Sequence, residues 1–268
     1  MITFKGSTAL ITGASSGIGT EFVRQLAPHA RCLILVARRL DRLEALKAEV
    51  ARPGLNVICL TADLSEDASI EELLGKITAS GEQITVLINN AGLGDHGFFE
   101  NSDWLRVKAM IDVNIQALTR LTHALLPDLV RHGRGAILNV SSIASLMPVP
   151  KMAVYAATKA YVTSFSEALR AELRGTGVSV TAVCPGPVDT EFFNVAERAQ
   201  SEDTLQTPAF FKVSAQQVAS EALDAVARDR ARVIPGPVVC AAMALLALVP
   251  LFLLRQFLPP RRPRSGVS

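Results

Sequence analysis

Tyr155 and Lys159 lie four residues apart in the stretch AVYAATKA, residues 153–160. That spacing puts both side chains on one face of a helix, one turn from each other. A free phenol titrates near pH ~10 and is a poor acid or base at neutrality, but a neighbouring ammonium favours the phenolate and lowers that value. The pair is therefore suited to moving a proton at a hydroxyl or carbonyl group. Taken alone, it equally fits a packed tyrosine beside a solvated lysine, so residues elsewhere in the chain decide.

Several such residues follow short apolar runs. Thr8–Ile11 leads into Thr12-Gly13-Ala14-Ser15-Ser16-Gly17-Ile18-Gly19, and Ile18, Phe22 and Leu26 then recur at helical spacing. Strand, glycine turn and helix together can bind a pyrophosphate: glycines let the backbone approach the phosphates, and the helix start offers free amides and a favourable dipole. Gly13, Ser15, Ser16, Gly17, Ile18 and Gly19 are the candidates, although their GxxxGxG spacing differs from the usual GxGxxG fingerprint. The run Cys32–Ala37 ends in Arg38-Arg39, where an acidic residue would otherwise grip a ribose 2′-hydroxyl. Guanidinium groups bind a 2′-phosphate that a carboxylate would repel, which favours NADP(H) over NAD(H). Arg38 is the stronger candidate, because Arg39 also fits the solvated start of the next helix.

Further along, Asn56–Thr61 runs towards Asp63-Leu64; Asp63 could accept a hydrogen bond from an adenine amino group or cap the following helix. Ile84–Ile88 runs into Asn89-Asn90-Ala91-Gly92, where small residues admit a ribose and the asparagines can pin loops. Asn114 falls inside a long helical pattern, Asp103–Val130, and an interior Asn there needs a polar reason for burial. Ser142 follows the run Gly135–Val140, thirteen residues before Tyr155, where it could cap a turn. Val178–Val183 precedes Cys184-Pro185-Gly186-Pro187-Val188-Asp189-Thr190.

The elements that must position these residues alternate in rhythm. Helical patterns at Leu40–Val50, Asp67–Ala79 and Ser214–Arg228 separate the apolar runs, and Arg232–Ile234 is a short last strand. The expected fold is α/β: a doubly wound parallel sheet of Rossmann-like form in three α/β/α layers, with a single domain over residues 1–237. Every polar motif falls at a strand's C-terminal end, where such sheets bind ligands. A net charge of +2 gives no nucleic-acid surface. Cys32, Cys59, Cys184 and Cys240 lack CxxC spacing, which argues against zinc or a disulfide framework and suits a reducing cytoplasm. The glycine turn comes too soon after Met1 for an intervening signal peptide.

With TGASSGIG at 12–19, NNAG at 89–92, Asn114, Ser142, Tyr155 with Lys159, and Pro185-Gly186 in this order, the chain resembles the short-chain dehydrogenase/reductase family over roughly residues 5–235. The resemblance implies that Tyr155 exchanges a proton with a carbonyl or alcohol while hydride moves to or from nicotinamide. It implies that Lys159 lowers the tyrosine pKa and holds the nicotinamide ribose, that Ser142 binds the substrate oxygen, and that Asn114 positions a water that links Lys159 to solvent. Pro185, Gly186, Val188 and Thr190 would pack along the carboxamide, and a homodimer or homotetramer is expected. A competing reading, a non-catalytic nucleotide-binding regulatory protein, has no chemical need for all four of Asn114, Ser142, Tyr155 and Lys159.

Two segments lie outside these motifs. Residues 191–213 form the expected substrate loop, and Phe192, Phe193, Phe210 and Phe211 at its ends suggest a hydrophobic alcohol or carbonyl substrate. Val238–Leu254 carries no charge and is interrupted by Pro250; a basic tail, 259–268, follows and is expected to be disordered. The segment 238–258 could be a dimer interface, a lid over the cleft, a membrane span, or a peripheral membrane contact flanked by arginines. The last would make the protein a membrane-associated reductase of lipid-like ketones or aldehydes.

Overall fold

Strands covered on both faces read as unbroken apolar runs rather than as alternation, and the sequences TALIT, CLILVA and GAILNV are buried at every position. The computed structural model describes residues 2–192 and 211–257. Among them, β1 (Thr8–Thr12), β2 (Cys32–Ala37), β3 (Asn56–Thr61), β4 (Val86–Asn89), β5 (Gly135–Val140), β6 (Val178–Val183) and β7 (Arg232–Val233) form one sheet in the order β3-β2-β1-β4-β5-β6-β7. Every pairing is parallel, so each connection must cross over a face of the sheet.

The crossovers are α1 (Gly17–Leu26), α2 (Leu40–Glu49), α3 (Asp67–Ala79), α4 (Trp104–Ile111), α5 (Leu118–Arg131), α6 (Ala153–Glu172) and α7 (Ala215–Ala227). Phe22, Leu26, Val218, Ala222 and Val226 bury one face of the sheet, and Ile70, Leu73, Leu121, Leu129 and Leu169 bury the other. β1 pairs with β2 on one side and β4 on the other. The chain winds outwards in both directions from this point, so the loops after β1 and β4 part and leave a crevice at their C-terminal ends. The doubly wound α/β sheet expected from the sequence is the one observed, with β2, β3, β5, β6 and α3 at the expected bounds.

Two expectations need correction. β4 starts at Val86 rather than Ile84 and continues through Asn89, whose buried Nδ2 donates to Thr122 Oγ1 (3.0 Å) and Asn139 Oδ1 (2.9 Å). The helix expected over Asp103–Val130 is not continuous α-helix: Asp112–Ala117 forms a π-helical segment between α4 and α5. Such one-turn widenings cluster at functional sites, and this one contains Asn114.

The apolar C-terminal stretch also divides. It forms α8 (Pro237–Ala247) and α9 (Leu251–Phe257), parted at Pro250. At ~1.5 Å per residue, α8 spans only about 16 Å of the ~30 Å hydrocarbon core. No helix among the described residues is long and apolar enough to cross a membrane. Most of the substrate loop, with Phe193 and Phe210, and the basic tail lie outside the described residues. The ends of that loop meet where Val188 bridges Val213.

Candidate active site

The crevice opens into a cleft of about 470 Å³. Ser142, Tyr155 and Lys159 line it, and so does every sequence-nominated cofactor residue except Gly19. Asn114, which is buried, and Gly19 do not line it.

At the start of α1 the backbone is packed too closely for side chains. Gly13 has φ +64°, and a Cβ there would lie 2.9 Å from the Ala91 Cα; one at Gly19 would lie 2.1 Å from the Gly13 carbonyl oxygen. The turn is clamped from β4: Asn90 Nδ2 donates to the Thr12 and Gly13 carbonyls (2.9 and 3.1 Å). Thr12 Oγ1 accepts from the Asn90 and Ala91 amides, each at 3.0 Å. Ser16 makes no side-chain capping bond, and the first turn of α1 has no acidic residue. The helix start therefore keeps donors and a positive dipole end for an anion.

Cations gather where β2 ends. Arg38 and Arg39 line the cleft, and Arg39 Nη2 reaches Ser15 Oγ at 3.5 Å. Arg39 and Arg42, one turn apart, both hold the Glu191 carboxylate, at 3.2 and 2.8 Å. Hydrogen bonds from Arg42 and then Arg39 keep that carboxyl below its usual range. Neither Arg42 nor Glu191 was a site candidate from the sequence; the spacing of Arg39 and Arg42, one helical turn apart, is the signal that could have found the first. Asp63 Oδ1 accepts from the Ser65 amide (3.0 Å) and hydroxyl (2.7 Å), a local turn ahead of α3 and not a cap of that helix, whose N-cap is Glu66 with no side-chain bond. Burial pushes the Asp63 carboxyl up, but these hydrogen bonds and the charge of Arg38 outweigh it and hold the group low.

At the other end, β5 and α6 place the reactive groups. Ser141 Oγ ties α6 to the strand by donating to the Lys159 carbonyl at 2.9 Å. Ser142 Oγ accepts from the Ala144 amide at 3.1 Å and hydrogen-bonds the Tyr155 hydroxyl. Lys159 Nζ donates to the Val140 carbonyl at 2.9 Å. Asn114 Oδ1 accepts from the Leu93 amide (2.8 Å), and its Nδ2 donates to the Leu93 carbonyl (2.9 Å) and Thr158 Oγ1 (3.0 Å). It thus fixes the loop after β4 to α6. A Cβ on Gly92 would lie 3.3 Å from Lys159 Nζ and 3.4 Å from Asn114 Oδ1, so a side chain there would press on the Lys159 ammonium.

The expected effect of Lys159 on Tyr155 is not the dominant one. Burial pushes the phenol up to about 12, opposed by the Ser142 hydrogen bond. Burial also pushes the Lys159 ammonium down to about 8. Nζ lies 5.8 Å from the tyrosine ring centroid, but both side chains are buried and burial is the leading cause of both shifts. Both shifts favour the uncharged form, so near neutrality the phenol keeps its proton and the Lys159 ammonium is held well below its ordinary value.

The remaining wall is apolar. Leu93, Met147, Val149, Met152 and Phe192 line it, with the Phe192 ring centroid 5.6 Å from that of Tyr155. Among the described lining residues, the cations are Arg38, Arg39 and Lys159.

Comparison with known proteins agrees with this geometry. A family model described as short chain dehydrogenase matches residues 7–201. A sulfoacetaldehyde reductase of Chromohalobacter salexigens is 42% identical over 188 residues, covering 68% of this chain and 72% of that protein. A short-chain dehydrogenase from Sphingobium yanoikuyae, solved in complex with NADPH, superimposes with a TM-score of 0.78 at 32% identity, covering 97% of this chain and 99% of that one. The bulky-bulky ketone specific alcohol dehydrogenase from Comamonas testosteroni superimposes with a TM-score of 0.75 at 28% identity, over 98% and 97% of the two chains.

Proposed function

The chain belongs to the short-chain dehydrogenase family, and from that premise we propose that it is an NADP(H)-dependent oxidoreductase interconverting a hydrophobic alcohol with its ketone or aldehyde. The observation that carries this reading is one cleft with a glycine turn and arginines at one end and Ser142, Tyr155 and Lys159 at the other. The cradle fits a dinucleotide, because the closely packed Gly13 and Gly19 and the open start of α1 leave backbone donors for phosphates. Arg38 and Arg39 suit a 2′-phosphate. When bound, NADP(H) supplies or accepts the hydride.

The chain's own groups handle the proton. Tyr155, protonated at neutral pH, donates its hydroxyl proton to the substrate oxygen in reduction and takes it back in oxidation. Ser142 binds that same oxygen and steadies the charge that develops on it. Lys159, when cationic, favours the transient phenolate. Leu93, Met147, Val149, Met152 and Phe192 supply an apolar wall that suits bulky carbon substituents. The free thiols of Cys32, Cys59, Cys184 and Cys240 suit a cytoplasmic location. Exposed Phe99, Trp104 and Leu105 support self-association into the expected homodimer or homotetramer.

A panel scored by NADPH oxidation tests the substrate class. Ketones with two bulky apolar substituents should give kcat/KM at least about tenfold above small anionic aldehydes, since a buried carboxylate or sulfonate without a partner is costly. Preference for the anionic aldehydes removes the apolar assignment.

The pH profile tests the proton path. Lys159 is cationic below its value of about 8, so kcat/KM for reduction should hold near neutrality and fall as pH rises through about 8. Lys159→Arg, which stays charged, should remove that descending limb. A wild-type profile flat across this range would exclude Lys159 as the titrating group.

A further inference from the structure

We propose that the outer face of α8 and α9 is a docking surface for an anionic lipid bilayer. A helix on a protein surface ordinarily shows an apolar stripe inwards and polar residues outwards. α8 departs from this: its sequence, PVVCAAMALLA, has no polar side chain other than the thiol of Cys240. Val239 and Met243 are buried, with Ala242 and Leu246 beside them against the core. The opposite side leaves Val238 50%, Leu245 68% and the following Leu248 79% exposed. α9 extends the surface with Phe252 62% and Leu253 37% exposed. An apolar patch of this kind on a soluble fold marks an interaction site.

Charge identifies the occupant. No acidic residue follows Asp229, and beyond the uncharged run come Arg255, Arg261, Arg262 and Arg264. An exposed apolar face that includes the exposed Arg255, followed in sequence by three further arginines, matches a bilayer surface with acidic headgroups, where apolar groups enter the acyl boundary and cations meet phosphates. A second copy docked on the same face would add a second Arg255 and a second basic tail, with no carboxylate side chain in residues 230–268 of either copy to offset them. Helices as short as α8 and α9 lie on a bilayer and do not span it.

The test is co-sedimentation of the full chain with vesicles of phosphatidylcholine alone or mixed with phosphatidylglycerol, alongside the Leu245→Glu/Leu248→Glu double variant. Both substituted side chains are exposed, so the variant should keep wild-type carbonyl reduction. Expected is binding to the anionic vesicles at least about tenfold stronger than to neutral ones, weakened by salt and lost in the variant. No binding to either vesicle overturns the proposal, and equal binding to both overturns the anionic assignment. A wild-type dimer that the double variant splits into monomers, without vesicle binding, would make the face a contact between copies instead.

Discussion

Tyr155→Phe should lower kcat for carbonyl reduction by about 10³-fold, within the range that a positioned general acid contributes, while NADPH affinity changes little. The substitution removes one oxygen and nothing else. The ring keeps its packing against Phe192, so no cavity opens. Ser142 Oγ retains the Ala144 amide as a partner, so no buried polar atom is orphaned. One hydrogen bond is lost, a net change of about 1 kcal/mol in stability. Steady-state kinetics with fluorescence titration of NADPH separates chemistry from binding. Turnover within about tenfold of wild type would mean that another group delivers the proton.

Arg38→Asp should reverse cofactor preference. Loss of a charge-assisted contact and its replacement by a repelling carboxylate should weaken NADPH by about 10²-fold, while NADH is unaffected or gains a ribose partner. Glu191→Gln should move the opposite way. The Glu191 carboxylate neutralises Arg39 and Arg42 at the rim, and removing an exposed competing pair should tighten NADPH by about two- to fivefold. NADH, lacking the phosphate, should not respond. Calorimetric Kd values for both nucleotides against both variants decide this. Unchanged preference in Arg38→Asp removes the 2′-phosphate assignment, and an equal gain for both nucleotides in Glu191→Gln places that carboxylate elsewhere.

Much of the framework was legible because its determinants are local. The runs CLILVA and GAILNV are buried on both sides and end where polar residues begin, so periodicity found β2 and β5 directly. Helical spacing put Tyr155 and Lys159 on one face, but their role was legible only with the glycine turn, Asn114 and Ser142 elsewhere in the chain. What escaped depends on partners distant in the chain. Asn114 is held by Leu93, 21 residues away, and Thr158, 44 residues away, so nothing near it in sequence announced the π-helical segment. Glu191 meets Arg39 across 152 residues. The order of the two pKa values also escaped, because spacing reveals a neighbour but not the burial that outweighs it.

The π-helical segment has a further consequence. A single turn of this type holds one residue more than the α-helix it interrupts, so α4 and α5 together carry a one-residue insertion over Asp112–Ala117. Deleting any residue there would let a regular ladder close and leave a better helix. The same deletion would rotate everything on one side of it by about 100° relative to the other. Asn114 could not then face both Leu93 and Thr158. The segment is a local optimum that shortening cannot improve by degrees: a more regular helix and an anchored loop after β4 are mutually exclusive outcomes of the same six residues.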